Sequence, residues 1–114
     1  MNEQASLKEE SLHIMREVEE SPHLNQRALS EKLNISLGKI NYLLKELIKK
    51  GIVKVISFST TPEKARKVKY VLTQKGFEEK ALLTFYFLKA KEREYKRLKE
   101  EYEKTRITMK RTDI

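Results

Sequence analysis

The chain contains no cysteine and little histidine. Among its 114 residues there are two histidines, His13 and His23, and no cysteines. Without cysteine there is no disulfide framework, no thiolate zinc site and no cysteine nucleophile. No paired carboxylate supports the histidines as metal ligands, and we expect both at the surface. Because no catalytic constellation is present, the sequence predicts neither an enzyme nor a bound cofactor.

Long apolar segments are also absent. The longest nearly uncharged apolar run has eight residues, 81–88, whereas a membrane span needs about 20. The first four residues, MNEQ, have neither the basic start nor the apolar run of a secretory signal. We therefore expect a cytoplasmic protein with one small domain, whose modest core a partner subunit would help to complete.

The positive charge is concentrated in the middle of the chain. The net charge is +8, and charged residues make up 37% of the sequence. Residues 1–36 carry a net charge of −3, residues 37–75 of +8 and residues 76–114 of +3. A localised basic region is the expected footprint of phosphate binding, although a solvated basic surface gives the same count. The fold of this region decides between the two interpretations.

The first half of the chain has the apolar spacing of three helices. We predict them over residues 7–20, 26–33 and 37–50. A capping-box pair, Ser6 and Glu9, precedes the first helix, and the turn at residues 34–36 separates the other two. Asn34 tolerates the left-handed conformation that such a turn requires, and Gly51 ends the third helix.

The period of the sequence then changes from helical to alternating. Residues 52–58 and 67–72 predict two strands of an antiparallel hairpin with a loop of about eight residues. A last helix follows from residue 74 to about 104, and residues 105–114 are expected to fray. From residue 89 to 106, thirteen of eighteen residues are charged, which is typical of a solvated helix or half of a coiled coil.

The predicted fold class is mainly α with a small β-hairpin. A helix-turn-helix followed by a hairpin is a winged helix-turn-helix. We assign residues 1–73 to a winged helix-turn-helix DNA-binding domain and residues 74–104 to a long C-terminal dimerisation helix. In this arrangement the first two helices bury one face of the third, whose other face can enter a major groove.

Three segments resemble the MarR-type regulators. They are QRALSEKLNIS (residues 26–36), LGKINYLLKELIKKGIV (37–53) and LTQKG (72–76). The run SLGKINY (36–42), followed by the long charged helix, is similar to a short MarR-related group associated with exopolysaccharide biosynthesis loci in bacteria. The resemblance covers about residues 7–104 and implies a DNA-binding transcriptional regulator that acts as a homodimer.

The chain departs from that family at two points. The usual MarR wing carries an Asp-x-Arg pair, whereas this loop reads TPEKAR (residues 61–66), so that Arg66 would take the arginine role without a clear acidic partner. Full-length MarR proteins also have further dimerisation helices that build a pocket for small phenolic ligands. Because this chain lacks their length, effector binding is not carried over.

The candidate DNA-binding residues fall into three groups. On the third helix we expect Lys39, Asn41 and Tyr42 at base edges, because Lys suits guanine and Asn suits adenine, with Leu37, Gly38 and Lys45 beside them. Gly38 would permit a close backbone approach. Helix N-termini place Gln26 and Ser36 near phosphate. The wing supplies Lys64, Arg66 and Lys67.

A second candidate surface lies on the last helix. Apolar residues recur there at spacings of three, four or seven, and we predict that they form the interface of a homodimer: Phe77, Ala81, Phe85, Leu88, Tyr95, Leu98 and Tyr102. The expected partners are double-stranded DNA and a second copy of the chain, with a near-palindromic operator. Two alternatives stay open at this stage, a winged-helix adaptor for proteins and an architectural DNA-binding protein without sequence preference.

Overall fold

A computed structural model describes residues 3–21, 24–58 and 67–112 of the chain. Four helices and two strands follow in order, namely α1 (Glu3–Glu20), α2 (Gln26–Leu33), α3 (Leu37–Lys49), β1 (Val53–Phe58), β2 (Lys67–Leu72) and α4 (Gln74–Thr112). The chain divides into two compact units, residues 1–83 and 84–114. This is the mainly helical winged fold that the sequence predicts.

The core of the first unit is built by α1, α2 and α3. Its most buried side chains are those of Ile14, Met15, Leu29, Ile40 and Leu44, each at most 1% exposed. Full burial of a large aliphatic side chain contributes about 1.5–3 kcal/mol. The apolar stripes predicted for the three helices therefore meet in one cluster, which continues into Ile52 and Val53 at the start of the hairpin.

The turn between α2 and α3 has the predicted conformation. Asn25 caps α2, because its side chain accepts a hydrogen bond from the Ala28 N–H at 2.8 Å. Asn34 ends the helix in the left-handed region with φ 54° and ψ 45°. Ser36 then caps α3 by accepting a hydrogen bond from the Lys39 N–H at 3.2 Å. The caps fix both ends of the turn and so set the angle at which α3 leaves α2.

The hairpin follows α3 through Gly51, which has a φ of +75°. Its strands are antiparallel, with Val53 opposite Leu72 and Phe58 opposite Lys67. The predicted loop, residues 59–66, lies outside the described residues, as does His23. The hairpin therefore begins at a residue that suits the left-handed conformation, and its first residue, Val53, is buried in the core.

The junction between β2 and α4 is held by Thr73. The Thr73 hydroxyl accepts a hydrogen bond from the Gly76 N–H at 3.0 Å, and the Thr73 N–H donates to the Ile52 carbonyl at 3.1 Å. Lys75 Nζ donates to the Lys50 carbonyl at 2.8 Å. The start of α4 is thus tied to the residues that follow α3.

Two predicted helix ends differ from the structure. Helix α1 begins at Glu3 rather than at residue 7, so Ser6 lies inside the helix and not at its N-cap. The added residues include no helix breaker, and Glu3 suits the positive end of the helix dipole. Helix α4 continues to Thr112, so residues 105–112, which were expected to fray, are helical. No proline interrupts this segment, and Arg106 pairs with Glu103 one turn earlier.

Candidate nucleic-acid interface

The face of α3 opposite its buried stripe is open to solvent. Ile40, Leu43, Leu44 and Leu47 are at most 4% exposed, whereas Tyr42 is 55% exposed. Gly38, Lys45 and Lys49 share the exposed side with Tyr42. Their spacing of three or four residues places them along one helix face. This face combines two ammonium groups, one phenol and a residue without a side chain, which together suit a phosphate-lined groove.

Lys39 lies at the edge of this face rather than at its centre. Its Nζ is 2.7 Å from Glu10 Oε1 on α1, and the two side chains are 40% and 20% exposed. Because Lys39 precedes the buried Ile40 by one residue, the helical turn of 100° per residue turns it toward α1. The ammonium group that was expected at a base edge must therefore leave this carboxylate before it can reach DNA.

Asn41 lies at the opposite edge and is also half-buried. Its Nδ2 donates to Gln26 Oε1 at 3.1 Å, and Gln26 Nε2 donates to the Tyr70 hydroxyl at 3.2 Å. This chain of hydrogen bonds joins α3, α2 and β2, and it fixes the orientation of the Asn41 amide. The second Nδ2 hydrogen and the Oδ1 atom remain for a base edge, which is the pairing that adenine requires.

The N-terminal end of α3 presents Ser36 and Leu37 to solvent. Leu37 is 44% exposed. The Ser36 oxygen accepts the bond from Lys39, so its hydroxyl hydrogen is left to donate to another acceptor. Gln26, which was expected near phosphate, begins α2 but has its side chain in the hydrogen-bonded chain with Asn41 and Tyr70.

The wing residues are described only in part. Lys64 and Arg66 lie outside the described residues, and Lys67 begins β2 with its side chain also outside them. Of the described wing residues, Lys54 is exposed, and Val55, Ile56 and Val68 are each at least 40% exposed. The proposed phosphate contacts of the wing therefore stay predictions.

The predicted dimer residues of α4 are all exposed in the single chain. Those with a large side chain range from 47% for Phe77 to 68% for Tyr95. Further exposed apolar residues, which the sequence analysis did not select, are Leu82, Tyr86, Ile107 and Met109. Lys89 Nζ lies 5.4 Å from the centre of the Phe85 ring, within the range of a cation–π contact.

Sequence reasoning missed three residues of the candidate interface. Lys49 is not among the predicted DNA contacts, although its spacing of four from Lys45 could have placed it on the exposed face. Tyr70 and Glu10 are 29 residues from the α3 side chains with which they are linked, directly or through Gln26. No local pattern identifies such partners, because their contact depends on the packing of the helices and the hairpin.

Other kinds of site find no support in the described parts of the chain. No group of three or more histidine, aspartate and glutamate residues is placed to hold a metal ion there. None of the helices in those parts combines the length and the apolar character that crossing a membrane requires.

Comparison with known proteins agrees with this architecture. Residues 11–54 match the profile of a family described as winged helix-turn-helix DNA-binding. The chain has the winged helix-turn-helix fold. The match begins within α1 and ends within β1, so it contains the two helices and the turn that carry the exposed face of α3. None of the curated proteins is similar enough in sequence to count as a relative.

Solved structures of MarR-family regulators share this winged fold. A MarR-family transcription regulator has a TM-score of 0.60 and 21% identity over 96% of this chain and 76% of its own. A MepR variant from S. aureus, bound to an oligodeoxyribonucleotide, has a TM-score of 0.57 and 16% identity over 93% and 75%. FabT from Streptococcus pneumoniae, in complex with DNA, has a TM-score of 0.55 and 20% identity over 75% and 58%. The chain thus spans little more than half the length of FabT.

Proposed function

We propose that the chain is a transcriptional regulator that binds specific sequences of double-stranded DNA. The observation that carries this proposal is the exposed face of α3, where Gly38, Tyr42, Lys45 and Lys49 stand opposite a fully buried stripe. A helix held in this way by two others can enter the major groove, which is wide enough for one helix. The concentration of net charge in residues 37–75 supports the same assignment.

The proposal includes a homodimer formed through α4. Two recognition helices must reach major grooves about one turn apart, roughly 34–36 Å, to bind two half-sites together. The exposed apolar residues of α4, including Leu88, Tyr95 and Leu98, are the surface we assign to this contact. Because a dimer with two-fold symmetry presents two equal reading surfaces, its operator is expected to be near-palindromic.

Two likenesses support this function. The FabT and MepR structures that share the fold contain DNA. The run SLGKINY at the start of α3 resembles the exopolysaccharide-associated MarR group, and we extend the proposal to exopolysaccharide biosynthesis genes as targets. Recovery of the bound promoters from cells would test this extension directly.

Salt-dependent binding to duplex DNA tests the proposal. Fluorescence anisotropy should show an affinity that falls steeply with salt, because phosphate contacts release counterions. Replacing Lys45 and Lys49 together with alanine should reduce the slope of log K against log salt by roughly 0.9 for each lysine that contacts phosphate. The matched control replaces Lys96 and Lys104, which are exposed on the distal part of α4. Absence of binding at low salt would contradict the proposal.

Selection of bound duplexes from a random pool tests sequence specificity. A regulator of this kind should enrich one motif with two inverted half-sites. Specific sites are typically bound 10³–10⁷ times more tightly than other DNA, so an excess of bulk genomic DNA should leave binding to the motif largely intact. A pool without an enriched motif would instead indicate an architectural DNA-binding protein.

A further inference from the structure

The distal unit of α4 carries a seven-residue repeat of exposed apolar side chains. In heptad notation, its a positions are Leu88, Tyr95, Tyr102 and Met109. Its d positions are Thr84, Lys91, Leu98 and Thr105. The apolar members of this set are between 51% and 68% exposed in the single chain. Apolar residues that repeat every seven positions over three heptads or more are typical of the seam of a coiled coil.

The residues that flank this seam have an ordered charge pattern. The charged e positions are Glu92, Lys99 and Arg106, and the charged g positions are Glu94 and Glu101. The two g residues are therefore both acidic, and each is followed five residues later by a basic e residue. Pairs of this kind between g and the following e position decide the partner and the orientation of coiled-coil helices.

We propose that the distal part of α4 pairs with a second copy of itself as a parallel, in-register coiled coil. In that arrangement Glu94 faces Lys99 of the second copy, and Glu101 faces its Arg106. By symmetry each ion pair occurs twice. Among the described residues, Glu94, Lys99 and Glu101 make no ion pair within the single chain, whereas Arg106 pairs with Glu103 and would exchange or share that partner.

The charges at the g positions oppose an antiparallel pairing. In an antiparallel coiled coil, g positions face g positions and e positions face e positions. Glu94 and Glu101 would then face another glutamate or an uncharged g residue across the seam, and never a basic one. Like charges at such positions are destabilising, and no change of register brings a basic residue to the g side.

Lys91 is the one charged residue at a core position between Leu88 and Met109. Its stem can lie along the seam while its ammonium group reaches Glu92 of the second copy, since d residues pack beside the e position of the facing helix. A charged residue at a single core position fixes register at some cost in stability. Lys91 therefore favours the in-register pairing over pairings shifted by one or more heptads.

The inference rests on the homodimer of the proposed function and adds the relative direction of its two α4 helices. Because the winged helix precedes α4 in the chain, a parallel pair places both DNA-binding domains at the same end of the coiled coil. In an antiparallel pair the two copies would enter the coiled coil at opposite ends, about 1.5 Å apart for each residue of paired helix. Half-sites one helical turn apart therefore favour the parallel form.

Disulfide cross-linking tests the direction, and the absence of native cysteine makes each introduced thiol unique. The variants are Thr84→Cys and Thr105→Cys, at two d positions, with Glu100→Cys at the outer f position as the control. Both d variants should form covalent dimers under mild oxidation at least tenfold faster than the control. Residues 84 and 105 are 21 positions apart. In an antiparallel pair, therefore, no single register places residue 84 opposite residue 84 of the second copy and also residue 105 opposite residue 105. Cross-linking of only one, or of neither, would overturn the proposal.

Charge reversal tests the same arrangement without a covalent bond. The double variant Glu94→Lys with Glu101→Lys should weaken the dimer at least tenfold by sedimentation equilibrium, because every g-to-e pair becomes repulsive. An equal mixture with the double variant Lys99→Glu and Arg106→Glu should restore it. An antiparallel dimer would be unaffected by the first change, since two acidic g residues become two basic ones, and that result would refute the inference.

These results are separable from the proposed function. Salt-dependent duplex binding by the unaltered protein, with failed cross-linking at residues 84 and 105, would remove the parallel pairing and leave DNA binding in place. Efficient cross-linking at both positions, with no duplex binding at low salt, would remove the proposed function and leave the pairing.

Discussion

The winged-helix unit (residues 1–83) and the distal unit (residues 84–114) differ in the exposure of their apolar side chains. In residues 1–83, Ile14, Ile40 and Leu44 are at most 1% exposed. In residues 84–114, Leu88 and Leu98 are more than half exposed. The first unit therefore buries a core of its own, whereas the described residues of the second unit leave most of their apolar side chains exposed.

Ion pairs show the same contrast. The winged-helix unit joins different elements, with Lys32 on α2 to Glu17 on α1 at 2.7 Å and Lys80 on α4 to Glu19 on α1. The described part of the distal unit has pairs only between residues three apart, such as Arg106 with Glu103 at 2.9 Å. Long-range pairs specify how elements pack, whereas pairs within one helix stabilise it by only a few tenths of a kcal/mol.

The largest expected effect is a change in the free energy of unfolding, and it distinguishes a leucine-to-alanine substitution in one unit from the same substitution in the other. Leu44→Ala should lower the free energy of unfolding by about 2–5 kcal/mol, because it removes a buried side chain and leaves a cavity. Leu98→Ala, at a residue 57% exposed, should leave the unfolding of the dilute monomer nearly unchanged and weaken self-association instead. Urea unfolding at two protein concentrations checks both. Equal destabilisation by the two variants in the monomer would break the comparison.

A smaller effect is expected at the start of α4, within the winged-helix unit. A Cβ atom at Gly76 would collide with the Ile52 carbonyl oxygen, so Gly76→Ala should destabilise the protein by about 1–3 kcal/mol. The matched control is Gly38→Ala, where nothing lies within 4 Å of the added carbon. That variant should gain about 0.5–1 kcal/mol of stability and yet bind duplex DNA less tightly. Thermal unfolding and anisotropy measure the two effects, and a destabilised Gly38→Ala would contradict the assignment of an open α3 face.

The hydrogen-bonded chain on α3 leads to a prediction about specificity. Asn41→Ala should relax base preference at one operator position by roughly 1–3 kcal/mol. Gln26→Ala should change preference at that same position, because Gln26 orients the Asn41 amide. Anisotropy with single-base operator variants distinguishes this result from uniform weakening on all sequences, which would make both residues phosphate contacts.

The smallest effect concerns the ion pair that holds Lys39. Glu10→Gln should strengthen DNA binding about 1.4- to 5-fold, because ion pairs near the surface contribute about 0.2–1 kcal/mol and Lys39 would no longer have to leave one. Glu20→Gln removes an equal charge from an exposed position of α1 and serves as the control. Equal gains from both variants would indicate a general charge effect and no competition for Lys39.

Local signals predicted the recognition elements closely. Helix α2 spans Gln26–Leu33 and strand β2 spans Lys67–Leu72, as predicted from caps, apolar spacing and alternation. Asn34 adopts the predicted left-handed conformation, because that conformation depends on Asn34 itself and on its near neighbours. The helix-turn-helix could be recognised for the same reason.

Contacts between distant residues could not be predicted in this way. The expectation that Lys39 and Asn41 point outward considered α3 alone, whereas Glu10 and Gln26 approach these side chains from α1 and α2. The end of α4 was also misjudged, since the helix has no breaker near residue 104 and continues to Thr112. The end of a helix depends on nearby residues in the sequence, whereas the partner of a side chain depends on how the whole fold packs.

The Thr73 junction has a consequence for the entropy of the winged-helix unit. The Thr73 hydroxyl and N–H, together with Lys75, hold the first turn of α4 against the residues that follow α3, although the whole hairpin lies between them in the chain. The conformational freedom of this segment is therefore lost once, during folding. In the proposed regulator, α3 and the start of α4 would meet DNA as one preorganised unit, so that less entropy would be lost on binding.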